Sequence, residues 1–174
     1  TKLHPLVHEN TSSIAVQRYS SVFTGQEFYL ADHVIGGQRL LPGVAYLEMV
    51  CSSVTRAFDE IADKGNGCGI QINNVVWSRP IIVKGKSEHV HISLSPQENE
   101  TLGFEVYNLS LDGEHQVFCQ GSAVFRNTAA SLIDLPAQQD LCNKMVWNAE
   151  QCYRFFKTAG FEYGAAFQSI DTLF

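Results

Sequence analysis

The chain has 174 residues, 45% of them hydrophobic, enough to bury a sizeable core in one domain or in one small domain plus part of a second. A net charge of −6 with no basic cluster argues against a nucleic-acid binder. No apolar run approaches the ~18 residues of a spanning helix, and the five cysteines, at 51, 68, 119, 142 and 152, are odd in number and form no Cys-x-x-Cys pair, which speaks against a disulfide framework or a zinc knuckle.

From the N-terminus, residues 13–23 have strand composition, Thr24-Gly25 turns the chain, and 27–30 reads as a short apolar strand leading to His33. The stretch from Asp32 to Gly43 is glycine-rich, so backbone can come close to a ligand without Cβ atoms in the way. Pro42 suits the first position of a helix, where its missing N–H has no partner to lose. Val44, Leu47, Val50, Cys51, Val54 and Phe58 then recur at helical spacing, with Tyr46 and Met49 widening the stripe into a helix buried on most sides. His33 lies upstream, and the N–H groups from Gly43 onward sit at the positive end of that helix. A base facing N–H donors is the layout needed to hold a carbonyl while a neighbouring proton is removed. The plainer alternative for His33 is a loop histidine capping the helix.

The helix is expected to end before Lys64. The run Gly65-Asn66-Gly67-Cys68-Gly69 lacks a third glycine at 70 and follows a helix rather than a strand, so it reads as a connector and not as a phosphate cradle. Strands follow: 70–77, then 81–83 beyond Pro80, which suggests an edge or a bulge. In 88–94, Val90, Ile92 and Leu94 alternate with His89, His91 and Ser93. His89 and His91 thus share a face, read as a solvated strand face because no third metal ligand is apparent. Residues 102–111 form a strand turned by Asp112-Gly113, and the next strand sets Val117, Cys119, Gly121, Ala123 and Phe125 against Gln116, Gln120, Ser122 and Arg126. One long helix and five or more hairpin-connected strands make an α+β protein in which an antiparallel sheet curls around the helix.

Residues 127–147 break this pattern. Thr128–131 is small and polar, Pro136 stops regular structure, and 138–140 is polar again, so the segment reads as a surface linker. Asn148 with Gln151 forms a capping box for a helix over 149–158 that Gly160 ends. Its aromatic stripe, Tyr153, Phe155 and Phe156, reads as core or interface. The division expected is 1–127 as a first unit, 128–147 as linker and 148–174 as the start of a second unit.

The spacing His33-x-x-x-Gly37-x-x-x-x-Pro42-Gly43 resembles the dehydratase domains of modular polyketide synthases. So do the opening His4-Pro5-Leu6, the phrase Leu30-Ala31-Asp32-His33, the phrase from Pro42 to Met49, and a second motif, Gly160-Phe161-Glu162-Tyr163-Gly164-Ala165-Ala166-Phe167-Gln168. The resemblance runs nearly from end to end. It implies a hot-dog fold, the first of two units fused in tandem with the second only begun. The cysteine usage and the lack of an apolar signal core read as cytoplasmic, and the resemblance further implies an enzyme without cofactor of its own, acting on acyl chains carried on the phosphopantetheine arm of an acyl carrier protein. Neighbouring synthase domains and a second copy are the other partners it implies, with no membrane span.

By the same resemblance His33 is the catalytic base for dehydrating a β-hydroxyacyl thioester, and Tyr163, Gly164 and Phe167 line the substrate site. Gly37 and Pro42 shape the loop, and Gly43 is the first candidate for holding the enolate-like oxygen. An aspartate supplied by the second unit's helix is the implied acid. Asp171 comes too soon after Tyr163 for that and reads as a strand-end or turn residue, so this chain carries half of the catalytic pair. Phe161 stands where tyrosine is common and Ala165 where proline is usual, which loosens the turn presenting Tyr163. These departures look like those of synthases with separately supplied acyltransferases. They also look like those of relatives that shift a double bond or cyclise, and a non-catalytic structural role is the remaining alternative.

Overall fold

The computed structural model describes residues 1–59, 69–110, 113–126, 132–142 and 145–174. A two-residue strand β1 (Glu9–Asn10) leads into β2 (Gln17–Phe23), a short helix α1 (Phe28–Ala31), a hairpin of β3 (His33–Ile35) and β4 (Gln38–Leu40), and the long helix α2 (Gly43–Asp59). Then come β5 (Gly69–Trp77), β6 (Ile82–Val83), β7 (Glu88–Pro96), β8 (Leu102–Leu109) and β9 (His115–Arg126). The C-terminal part holds α3 (Leu135–Leu141), β10 (Trp147–Asn148), α4 (Ala149–Thr158), β11 (Phe161–Tyr163), a 3₁₀ turn (Ala165–Phe167) and β12 (Thr172–Leu173).

The main sheet is antiparallel with six strands in the order β1-β2-β7-β8-β9-β5. The alternation in β7 is as expected: Val90, Ile92 and Leu94 are buried, while His89 is exposed and His91 and Ser93 half-buried. In β9 the alternation breaks where the register slips between Val106 and Tyr107 of β8, so that Phe118 and Cys119 are both buried in succession. The inward residues Tyr19, Phe23, Val90, Ile92, Leu94, Phe104, Val106 and Ala123 pack against α2. This is a hot-dog fold, a curled sheet around one helix.

Helix α2 buries Tyr46, Met49, Val50, Ser53, Val54 and Ala57. The stripe is therefore centred about one residue away from the expected one. Leu47, Cys51 and Phe58 lie on its flanks, and Val44 is 72% exposed. The helix is thus not buried on most sides of its first turn. The Tyr46 hydroxyl accepts the Ile81 N–H at 2.8 Å, and Ile81 in turn accepts the Leu41 N–H at 3.0 Å. Burial pushes the Tyr46 phenol up to about 12, which keeps it neutral and available for that bond.

Six local features differ from expectation. Residues 27–30 are not a strand: Phe28–Ala31 is one helical turn, because the Glu27 carboxylate accepts the N–H groups of Thr24 and Gly25 and folds the chain back at that point. The glycine-rich loop is a β-hairpin, with strand pairing between Ile35 and Gln38 around Gly36-Gly37. Helix α2 starts at Gly43, so Pro42 precedes its first residue, with its carbonyl accepting the Ala45 N–H. Residues 135–141 form a helix rather than unstructured linker, since Asp134 accepts the Ala137 N–H and Pro136 falls in the first turn, where it is tolerated. Strand composition at 13–16 gives only a turn around Ser13, and 81–83 pairs with β4 in a second sheet instead of extending β5. The expected end of α2 before Lys64, the connector through Cys68, Asp112 and the polar run 128–131 lie outside the described residues.

A second, four-stranded sheet has the order β11-β3-β4-β6. Strand β11 comes from the C-terminal part and pairs antiparallel with β3, setting Tyr163 opposite His33. This sheet brings the two sequence motifs together.

Candidate active site

Position 33 is fixed by the turns on either side of it. Upstream, α1 buries Tyr29 and Leu30 and ends on Asp32, whose N–H donates to the Phe28 carbonyl at 2.9 Å. Downstream, Gly36 (φ +56°) and Gly37 (φ +72°) adopt successive left-handed conformations, the geometry of a tight two-residue hairpin that side chains resist. A Cβ at either glycine would meet nothing within 4 Å. Gly37 is therefore favoured by its backbone angles, and it sits exposed at the hairpin tip, beyond β3 from His33.

The hairpin folds the Leu40 carbonyl back onto the imidazole, and His33 Nδ1 lies 2.8 Å from Leu40 O. A carbonyl can only accept, so Nδ1 carries the proton. In the neutral ring this leaves the lone pair on Nε2. The same Leu40 is three residues before the first turn of α2, whose leading N–H groups have no partners within the helix and carry its positive end. Gly43 is exposed there, and the Trp77 indole Nε1 would lie 3.8 Å from a Cβ added to it. The arrangement is a half-buried imidazole whose tautomer is set by a backbone carbonyl three residues before the start of α2.

The second motif closes on the same point. The Tyr163 ring is 5.6 Å from the His33 ring, the Phe167 ring 5.2 Å, and the two aromatics are stacked 6.0 Å apart. Tyr163 is itself backed by Phe156 of α4 at 5.5 Å. Helix α4 is held by the expected capping box, in which Asn148 accepts the Gln151 N–H and Gln151 accepts the Asn148 N–H, both at 2.9 Å. Gly164 lies against Asp32, and Gly164 N–H donates to Asp32 O at 2.9 Å. Thus His33, Tyr163, Gly164 and Phe167 are brought together, Pro42 is buried behind the start of α2, and Gly43 lies at its mouth. A groove of 810 Å³ runs along the outside of this region, with Tyr153, Arg154, Lys157, Tyr163 and Gly164 among its walls.

Sequence reasoning missed several contributors. Asp32 appears in the sequence only as the neighbour of His33, yet its side chain accepts the Ala166 N–H at 2.9 Å. The Leu40 carbonyl is backbone and leaves no residue-type signal. Tyr153, expected as core or interface, uses its hydroxyl to accept the Ile170 N–H at 2.7 Å, anchoring the chain after Phe167. Trp77 reads as a strand end in the sequence. On β7, His91 faces Ser20 (Nδ1 to Oγ 2.7 Å) and the Tyr107 ring (5.4 Å), and no group of three potential metal ligands occurs among the described residues.

Comparison with known proteins bears on this geometry. The family model for the polyketide synthase dehydratase domain matches residues 4–109. The chain is 44% identical to polyketide synthase PksN of Bacillus subtilis over 173 residues, 99% of this chain and 3% of that protein. It is 31% identical to polyketide synthase ThaG of Burkholderia thailandensis, over 97% of this chain and 3% of that one. Among solved structures, a trans-AT PKS dehydratase domain from Brevibacillus brevis superposes with a TM-score of 0.92 at 44% identity, covering 99% of this chain and 61% of that one. The dehydratase domain of RzxB from Pseudomonas fluorescens gives 0.83 at 29%, covering 97% and 59%. The chain thus spans a few per cent of the synthases and about three-fifths of the dehydratase structures it matches.

Proposed function

The chain belongs to the polyketide synthase dehydratase family, and from that premise we propose that it supplies the base for removing water from a β-hydroxyacyl thioester. The substrate is carried on the phosphopantetheine arm of an acyl carrier protein, and the product is the α,β-unsaturated acyl chain. The observation that carries this reading is the hydrogen bond from His33 Nδ1 to Leu40 O, which in the neutral ring places the lone pair on Nε2. Nε2 takes the α-proton, charge builds on the thioester oxygen, and the N–H groups at Gly43 are the donors best placed to hold it. Tyr163 and Phe167 pack beside the imidazole and orient the acyl chain, with Gly164 letting the turn that carries them sit close. The departing hydroxyl needs an acid. We assign that to an aspartate of a second hot-dog unit of the domain.

The test uses the complete domain and a carrier-bound β-hydroxyacyl thioester, with the acyl chain followed by mass. Loss of one water is expected. No loss of water from that substrate, together with conversion of a carrier-bound α,β-unsaturated thioester to an isomer of unchanged mass with a shifted double bond or a new ring, indicates the isomerase or cyclase reading, to which Phe161 and Ala165 point. An unchanged substrate indicates a structural domain. Either outcome defeats the dehydratase assignment.

A further inference from the structure

Two segments 134 residues apart meet at Asp32. Its backbone is held at both ends: the N–H donates to Phe28 O and the carbonyl accepts the Gly164 N–H, both at 2.9 Å. Its carboxylate is spent on one further bond, from the Ala166 N–H to Oδ2 at 2.9 Å. That N–H belongs to the 3₁₀ turn Ala165–Phe167, at whose end the Phe167 ring touches His33. Gly164 makes the approach possible, since a Cβ there would lie 2.3 Å from Asp32 Cγ. The residue adjoining the imidazole therefore also clamps the turn that carries Phe167 and directly follows Tyr163, the imidazole's two aromatic neighbours.

We propose that Asp32 is a positioning residue for dehydration: its carboxylate sets the 3₁₀ turn so that Tyr163 and Phe167 hold the His33 ring in its reactive orientation. The inference rests on the assignment of His33 as the base. The clamp needs an acceptor at this position, not a charge. Its carboxylate has one hydrogen-bond donor among the described residues, a main-chain amide, and an amide oxygen can replace it. Misplacing a catalytic group by about 1 Å can cost ~10²-fold in rate, so the clamp's effect belongs in kcat and not in KM.

The experiment compares Asp32→Ala, Asp32→Asn and Ala166→Pro in the complete domain, the last removing the donor while leaving Asp32 untouched. Dehydration of the carrier-bound thioester and the NMR signals of the His33 ring are both recorded. Asp32→Ala and Ala166→Pro are expected to lower kcat by about 10- to 100-fold with KM within about 3-fold. They should also shift the His33 ring resonances, as the Tyr163 and Phe167 rings move. Asp32→Asn should keep both near the parent values. If Asp32→Ala does not fold, Ala166→Pro decides. The proposal is overturned if the variants that break the bond keep parental kcat and ring signals. It is equally overturned if Asp32→Asn falls as far as Asp32→Ala with a displaced pH profile, which would make the charge the working feature. The ring signals need no turnover, so they judge the clamp even if the parent domain proves inactive and the dehydratase reading fails.

Discussion

The part of the molecule that wraps α2 and the part that follows residue 145 are built on different terms. Around α2, two sets of large apolar side chains interlock: Tyr46, Met49, Val50 and Val54 of the helix are at most 1% exposed, as are Tyr19, Phe23, Val90, Ile92 and Val106 of the sheet. From 145 to the end, Cys152 alone is buried among the described residues, and the segment is held by the pairing of β11 with β3, a capping box, two hydrogen bonds to Asp32 and a cluster of aromatic rings in which Phe167 reaches the core. His33 lies on β3, in the second sheet between the two regions, and its neighbours Tyr163 and Phe167 belong to the second region. Stability should therefore reside in one and catalytic adjustment in the other.

The largest separation of these properties is expected at His33. In the complete domain His33→Ala should reduce dehydration by about 10²–10⁴-fold, with thermal unfolding essentially unmoved because the ring is only half-buried and makes one hydrogen bond. The converse should hold at Met49, where replacement by alanine leaves a cavity in the best-packed layer. Met49→Ala is expected to lower unfolding free energy by about 2–5 kcal/mol in denaturant titration, while the ring contacts around His33 persist. Smaller again is the expected effect of Asn148→Ala. Losing the cap should cost about 1 kcal/mol of local stability in α4, visible as faster amide exchange in 149–152 with no change in the sheet. An equal rise in exchange through β7 and β8 would show the two regions to be one cooperative unit.

Acid should act on the first region more gently. His8 is buried, with Nδ1 accepting the Val22 N–H at 3.1 Å and Nε2 facing the Pro5 carbonyl at 3.1 Å, and burial holds its pKa below the usual value. His91 is lowered too, by burial first and then by Arg18. Groups depressed in the folded state bind protons more readily once unfolded, so their stabilisation is complete above the ordinary histidine value of ~6.5 and declines as pH falls below it. Unfolding temperature should thus drop between about pH 7 and pH 5, and less so in a His8→Gln, His91→Asn double variant.

How much of this could be read from the sequence follows the same divide. Period-two alternation in 88–94 and the capping box at Asn148 are rules of local chemistry, and both hold in the structure. The centre of the α2 stripe could not be read correctly, because Val44 and Tyr46 are both apolar and only the curvature of the sheet decides which is covered. Residues 27–30 look like a strand because Phe28, Tyr29 and Leu30 favour one, yet hydrogen bonds to the Glu27 carboxylate override that preference. At the site, His33 and the Tyr163 motif were legible as residue types. Their partners Leu40 and Ala166 were not, because each contributes a backbone group, and Asp32 declares its role only when two distant segments meet.

The proposed role of His33 turns most directly on the protonation of one ring. Nitrogen NMR of the neutral His33 imidazole distinguishes a protonated from an unprotonated nitrogen at each position. The hydrogen bond to Leu40 O predicts a proton on Nδ1 and a bare lone pair on Nε2. A proton found on Nε2 instead, with Nδ1 bare, would contradict the assignment of this histidine as the base.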